Sequence, residues 1–416
     1  MTDLKRAARK ITFVLFLIQS MASAGFIAAA TLNPIAGEEL SHRAAWAGVP
    51  SATYLLGAAL SAYVWGVINE RFGRRLGLAS GLLLGVIGSG MAFWAIGAAS
   101  FPVFLAAMAL MGFANAAVQL GRFAAAEVNL PHARGRAISN VVIGGTFGSV
   151  FGPMLIGPAG AWALSVGSTE LGGAYAISLL LFAVGVGVAL AGLRPDPRDL
   201  GRAVAAQFPE SESTAGPLRS IGEILRVPAA RVAMLAMILG QMVMVLVMVI
   251  TSLHMKNHHH GFGDISVVIS AHTFGMFAFS IISGRLADKH GRGPIILFGS
   301  AALIVACLAA TLSPDVLPLG IALFLLGLGW NFCFVGGTTL LADQLSVQER
   351  ARTQGFNDLL VGSASAIGSL GSGIIFAAVG YEIMALVSAA LAVVPFVATL
   401  VWFQSQGKAV QSVIQA

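Results

Sequence analysis

Apolar residues along this chain do not alternate with polar ones. They come in long runs separated by brief polar punctuation. Twelve runs can be marked, at about 11–32, 46–68, 76–98, 101–128, 136–158, 173–193, 231–253, 265–287, 294–312, 316–342, 353–378 and 381–403. A run of roughly 20 apolar residues lets one helix cross the hydrocarbon of a bilayer with every backbone hydrogen bond made internally. The pattern therefore predicts an all-α membrane protein with twelve transmembrane helices. The longest polar stretch, RPDPRDLGRAVAAQFPESESTAGPLRS (194–220), is rich in Pro, Ser and charge and falls between the sixth and seventh runs. It predicts an N-terminal six-helix half over 1–193, a cytoplasmic linker over 194–230 and a C-terminal six-helix half over 231–416.

Composition removes the soluble alternative. Of 416 residues, 57% are apolar and 10% charged, and mean hydropathy is +0.85. A soluble domain carries about 25% charged residues. The net charge of +6 does not point to nucleic acid, because the cations fall in alternate loops. Lys5, Arg6, Arg9 and Lys10, then ERFGRR (70–75), HARGR (132–136), the linker, DKHGR (288–292), ERAR (349–352) and Lys408 share one side, and Arg43 and Lys256 fall on the other. The excess of Lys and Arg marks the cytoplasmic side, so both termini and the linker are expected there. The first run is too long for a signal-peptide core and has no small-x-small cleavage site after it. Cys307 and Cys333 lie inside apolar runs, so no disulfide framework is implied.

The two halves echo each other. GVINERFGRR (66–75) and GRLADKHGRG (284–293) both read G-x3-acid-base-x-G-R at an offset of 218 residues, and Arg134 and Arg136 recur as Arg350 and Arg352 at an offset of 216. A repeat of six-helix halves is an architecture of secondary transporters, and with the doubled motif the chain resembles the major facilitator superfamily along its whole length. That resemblance implies a cytoplasmic gate, in which Glu70 and Asp288 with Arg71, Arg74 and Arg292, set by Gly66, Gly73, Gly284 and Gly291, latch helix ends when the cavity opens outward. Gly144, Gly148 and Gly152 in GGTFGSVFGP (144–153) lie four apart, a spacing that lets helices approach closely. Met108 stands where many proton-coupled members carry an arginine. No acidic residue lies near the middle of a run. Glu127, Asp343 and Asp358 sit towards the cytoplasmic ends, where they can join the gate. No nucleotide-binding loop is evident, which favours a secondary transporter over an ATP-driven pump and excludes an obvious enzyme.

Soft donors are concentrated in residues 237–276, which hold six of fourteen methionines and five of eight histidines. Met244 and Met248 are i and i+4 on one helical face, as are His272 and Met276. At about 1.5 Å per residue, Met248 lies about 8 Å and Met244 about 14 Å below the outer end of the seventh span. By the same rise His272 lies about 10 Å and Met276 about 16 Å into the eighth. Four donors from antiparallel helices are thus expected at matching depth. Thioether sulfur selects Cu(I) over hard cations, and imidazole also suits copper. His254, Met255, His258, His259 and His260 form a His-rich tract expected in an external loop, Leu253 to Asp264, as an accessory collector. Cys333 is a further accessory thiol, in a span expected to line the cavity. The same residues admit plainer readings: Met as flexible lining, His272 as a bonded structural histidine, the HHH run as a solvated loop and Cys333 as a small buried hydrophobe.

MVLVM (244–248) and HTFGM (272–276), with GMFAFSIISGRLADKHGR (275–292) and GLGWNFCFVGGTTLLADQ (327–344), resemble the CcoA-like bacterial copper importers of the superfamily. That resemblance implies copper as cargo, without a bound cofactor. Met244, Met248, His272 and Met276 would be its ligands, and a cytoplasmic copper acceptor would serve haem–copper oxidase assembly. The same branch contains riboflavin importers, so an organic solute such as riboflavin or a drug is the alternative cargo.

Overall fold

The computed structural model describes residues 2–130, 133–207 and 219–415. His132 and the central linker residues 208–218 lie outside the described residues, as does the side chain of Lys408. Among the described residues ten helices are long and apolar enough to cross a membrane. A further pair, Ala44–Ser61 and Val64–Phe72, passes together as one span bent by 48°. The longest helix, Arg352–Gln406 in its membrane-spanning part, is broken at Gly380, whose φ of +81° is open to glycine, so it is two crossings. Among the described residues the crossings then number twelve.

The chain divides into two units. The first comprises residues 1–212 together with 260–270. It is built from α1 (Thr2–Ser41), α2 (Val49–Phe72), α3 (Arg74–Gly97), α4 (Phe101–Gln119), α5 (Gly121–Glu127), α6 (Arg134–Phe151), α7 (Ile156–Ser165), α8 (Gly172–Gly192) and α9 (Pro197–Gln207). The second comprises residues 213–259 and 271–416. Its helices are α10 (Ile221–Ile224), α11 (Pro228–Asn257), the end of α12 (Phe262–Phe277), α13 (Ser280–His290), α14 (Arg292–Ala309), α15 (Val316–Asp343) and α16 (Val347–Gln415). The stretch 194–230, expected to be a linker, therefore contains α9, α10 and the first turn of α11.

Glycine sets the closest crossings. In the first unit a Cβ at Gly144 or Gly152 would sit 2.5 Å from the carbonyl oxygen of Phe16 or Ala24, and one at Gly148 would press on that of Ser20. The four-residue stripe thus seats α6 directly on the backbone of α1. Gly57 meets the backbone of Ala109 and Gly112 that of Tyr54, which joins α2 to α4. In the second unit Gly275 meets Phe324 and Gly327 meets His272, which joins α12 to α15 in the same manner. With no side chain between them, helices gain dispersion contacts that lipid cannot supply.

The polar flanks are tied down at both ends of the 194–230 stretch. In the first unit the Asp196 carboxylate accepts from the backbone N–H groups of Arg74 and Arg75 at 3.1 Å each, at the start of α3. The Arg198 guanidinium donates to the carbonyls of Glu70 and Arg71 at the end of α2. In the second unit Arg219 forks onto Glu349 at 2.8 and 2.7 Å and donates to the Gln344 carbonyl at 2.7 Å. The Arg219 fork and the Ser346 backbone N–H hold the Glu349 carboxyl far below its ordinary value of 4.5.

Two outcomes are expected. Gly148→Ala forces a Cβ into the α1 backbone and lowers stability by about 1–3 kcal/mol, read as thermal unfolding in detergent. Gly187→Ala, with open space around it, leaves the midpoint in place. For the Arg219 clamp, a depressed carboxylate contributes stability above its unfolded value and loses it as pH falls. The stability gap between the protein and Glu349→Gln is therefore constant near neutrality and shrinks on acidification below about 4.5. Unfolding curves across that range test it, and a gap that does not change with pH contradicts it.

Candidate functional site

The doubled G-x3-acid-base-x-G-R motif forms the turn between consecutive helices in each unit. Gly73 has φ of +93° and Gly291 of +88°, so each turn demands glycine at that position. Gly66 and Gly284 face open space. Arg74 forks onto Glu127 at 3.0 and 2.5 Å, and Arg292 pairs with Asp343 at 2.9 Å. The arginines therefore reach the acids at the ends of the fourth and tenth apolar runs. Arg292 also reaches Asp288 at 3.3 Å. Among the described residues Glu70 makes no ion pair, and Arg71 lies over the Phe72 ring at 5.4 Å.

The four soft donors lie on α11 and α12. Met244 is buried and Met248 half-buried. α11 packs mainly on α16 and α15, and Gln241, one turn before Met244, accepts from the Trp330 indole N–H of α15 at 2.6 Å. His272 is fully buried, and its Nδ1 lies 2.9 Å from the carbonyl oxygen of Leu323 on α15. A carbonyl can only accept, so Nδ1 carries the proton and the neutral ring keeps its lone pair on Nε2. That Nε2 is buried with no hydrogen-bond partner. Both helices thus bond to α15.

Met276 is half-buried beside a discontinuity. α12 ends at Phe277 and α13 begins at Ser280, so the eighth span, Phe262–His290, crosses as one helix with a local irregularity at 278–279. Asn331 of α15 pins the irregularity: its amide donates to the Met276 carbonyl at 2.6 Å and to Ser280 Oγ at 2.8 Å, while Ser283 donates to its Oδ1 at 2.8 Å. Irregular backbone at membrane depth is tolerated where it lines a cavity or a site. Asn331 and the Gln241–Trp330 pair escaped the sequence reading. Their signal was present: polar residues in otherwise apolar runs. Trp330 also stacks on Phe334 at 5.0 Å and meets Phe277 edge-on at 6.1 Å, forming an aromatic cluster.

The accessory residues divide. α11 continues to Asn257, so His254 and Met255 belong to its last turn and not to a loop, and both are buried. The helix persists because its last turn still buries an apolar face, and the loop shrinks to 258–261. His254 stacks on Tyr381 at 4.0 Å and against His258 at 4.4 Å, and the His258 Nδ1 bonds the His254 carbonyl at 2.9 Å. His259 is exposed, and His260 approaches Asp264 at 3.7 Å. Cys333 turns towards α14, with Sγ 3.5 Å from Ser300 Oγ, and is buried against Gly299. Its surroundings are those of a packing residue. Met237 is likewise committed, since its sulfur accepts from Thr338 at 3.4 Å and Asn357 at 3.6 Å.

Among the described residues no three His, Cys, Asp or Glu side chains group to hold a metal ion.

Comparison with known proteins supplies the family. The model of the Major Facilitator Superfamily matches residues 15–263 and 232–412. The chain is 32% identical over 401 residues to an uncharacterized MFS-type transporter, YdeG, of Bacillus subtilis (strain 168), covering 96% of this chain and 93% of that one. It is 28% identical over 383 residues, 92% of each chain, to the riboflavin transporter RfnT of Brucella anthropi. Its fold matches the crystal structure of the nucleoside transporter NupG with a TM-score of 0.73 at 16% identity, over 94% of this chain and 99% of that one. The doubled turn motif, the twelve crossings and these matches lead to one conclusion: the chain belongs to the major facilitator superfamily of multi-pass membrane transporters.

Proposed function

We propose that this transporter imports copper, as Cu(I), across the bacterial inner membrane, with both termini in the cytoplasm. A cytoplasmic acceptor would carry the metal to haem–copper oxidase assembly. The observation that carries the reading is the His272 ring. Metal-ligating histidines almost always donate their other ring N–H to a carbonyl or carboxylate, which fixes tautomer and orientation. His272 does this through Leu323. An unpartnered buried acceptor costs about 1–3 kcal/mol, and a soft cation at Nε2 would relieve that cost. Met276 lies one turn further on the same face, at a pinned helix irregularity, and Met244 and Met248 supply neutral thioethers. Neutral sulfur holds Cu(I) reversibly, as cargo must be held. Copper is the substrate and no resident cofactor is invoked.

A second reading has its own support. The Trp330, Phe334 and Phe277 rings with the Gln241 amide would suit a planar organic solute, and the relative RfnT is a riboflavin transporter.

Copper uptake into proteoliposomes separates the two. Met244→Leu and His272→Leu each reduce uptake by more than roughly tenfold, the order of loss on disturbing a metal site. Met237→Leu, whose sulfur is already occupied, leaves uptake in place. Copper uptake unchanged in both of the first two variants contradicts the proposal. In the same vesicles, riboflavin uptake that survives His272→Leu and falls with Trp330→Ala establishes the second reading instead.

A further inference from the structure

The first unit contains a cavity of about 560 Å³ at its basic end. It lies between the first turns of α1, the turn after α5, the start of α6 and Val204 of α9. Three cations line it, Lys5 and Arg9 from α1 and Arg136 from α6, and no carboxylate does. Lys5 and Arg9 are i and i+4, a like-charge pair on one helical face that is unfavourable by itself. Lys5 and Arg136 lie at the first turns of α1 and α6, where the macrodipole is already positive. Among the described residues none of the three has an ion-pair partner. The lining therefore concentrates positive charge that the described residues do not pair.

The rest of the lining supplies two further properties. Asn140 brings an exposed amide to the cationic end, whereas Asn129 donates its amide N–H groups to Thr12 Oγ1 at 3.0 Å and the Ala125 carbonyl at 2.8 Å and serves to join α1 to the turn after α5. Phe13, Phe16 and Ile143 form an apolar wall; the two Phe rings stack at 6.2 Å, and Phe13 is 60% exposed. Cations, the Asn140 amide and an exposed apolar wall together suit an anion that carries a hydrocarbon body. A basic pocket between helix ends of a membrane protein is a recognised form of headgroup site, and a phospholipid is the amphipathic anion available at bilayer concentration.

We infer that this cavity binds the phosphate headgroup of an anionic phospholipid, with Lys5, Arg9 and Arg136 on the phosphate and its acyl chains along Phe13, Phe16 and Ile143. Holding α1 to α6 at their basic ends, the lipid acts on the same helix pair that Gly144, Gly148 and Gly152 join. The inference does not depend on which cargo is carried.

The test uses the full-length protein in nanodiscs of phosphatidylcholine with or without phosphatidylglycerol, with retained lipid counted by native mass spectrometry. Lys5→Gln/Arg9→Gln/Arg136→Gln weakens phosphatidylglycerol retention by roughly fivefold per cation removed. Arg6→Gln/Lys10→Gln/Arg202→Gln removes the same charge outside the cavity and leaves retention unchanged. Equal loss in both triple variants overturns the proposal, because the attraction is then diffuse. Displacement of the lipid by inorganic phosphate alone overturns the lipid source in favour of a soluble anion. Should the cavity triple variant fail to insert, Arg136→Gln alone carries the test, with a roughly fivefold loss expected and no loss contradicting it.

Discussion

The second unit depends on the crossing of α12 with α15. Inside a bilayer no water satisfies a stray polar group, so each must find its partner within the protein. Gly275 and Gly327 bring the two backbones together without intervening side chains. Only then does the Leu323 carbonyl come within 2.9 Å of His272 Nδ1, and only then does Asn331 reach the carbonyl released at Met276. The crossing therefore fixes the tautomer of the histidine, frees Nε2 and pins the irregular helix in one arrangement.

The first unit uses the same crossing for a different end. The 218-residue offset maps Gly275 onto Gly57, and His272 and Met276 onto Tyr54 and Ala58. Tyr54 contributes its backbone to the α2–α4 contact as His272 does to α12–α15. The scaffold is thus repeated while the soft donors are confined to one copy. On the proposed copper reading, His272 and Met276 are where the second unit departs from the repeated scaffold, which holds Tyr54 and Ala58 at those positions.

Much of the fold was legible in the sequence because the bilayer permits few alternatives. Long apolar runs must become helices, and the basic turns must lie between them. The stripe Gly144, Gly148 and Gly152 announced a close contact, although not that α1 would be the partner. Contacts between residues far apart in the chain were not legible. Asp196 capping α3, Arg219 clamping Glu349, and Asn331 holding the α12–α13 irregularity all join separate elements, and local spacing is silent about them. The His-rich tract misled for a local reason: hydropathy falls at His254, but α11 keeps burying side chains through Met255 and ends only at Asn257. At the candidate site, spacing and resemblance nominated Met244, Met248, His272 and Met276 and said nothing of their surroundings. The orientation of His272, and its dependence on α15, were not legible.

The central claim is that His272 Nε2 and methionine sulfur together form the cargo site. X-ray absorption at the copper edge, on the purified transporter loaded with Cu(I), measures the coordinating atoms directly. The account predicts sulfur scattering together with imidazole nitrogen, and loss of the nitrogen contribution in His272→Leu. A spectrum of nitrogen and oxygen alone, unchanged in that variant, would place copper on the histidines between 254 and 260 and contradict it.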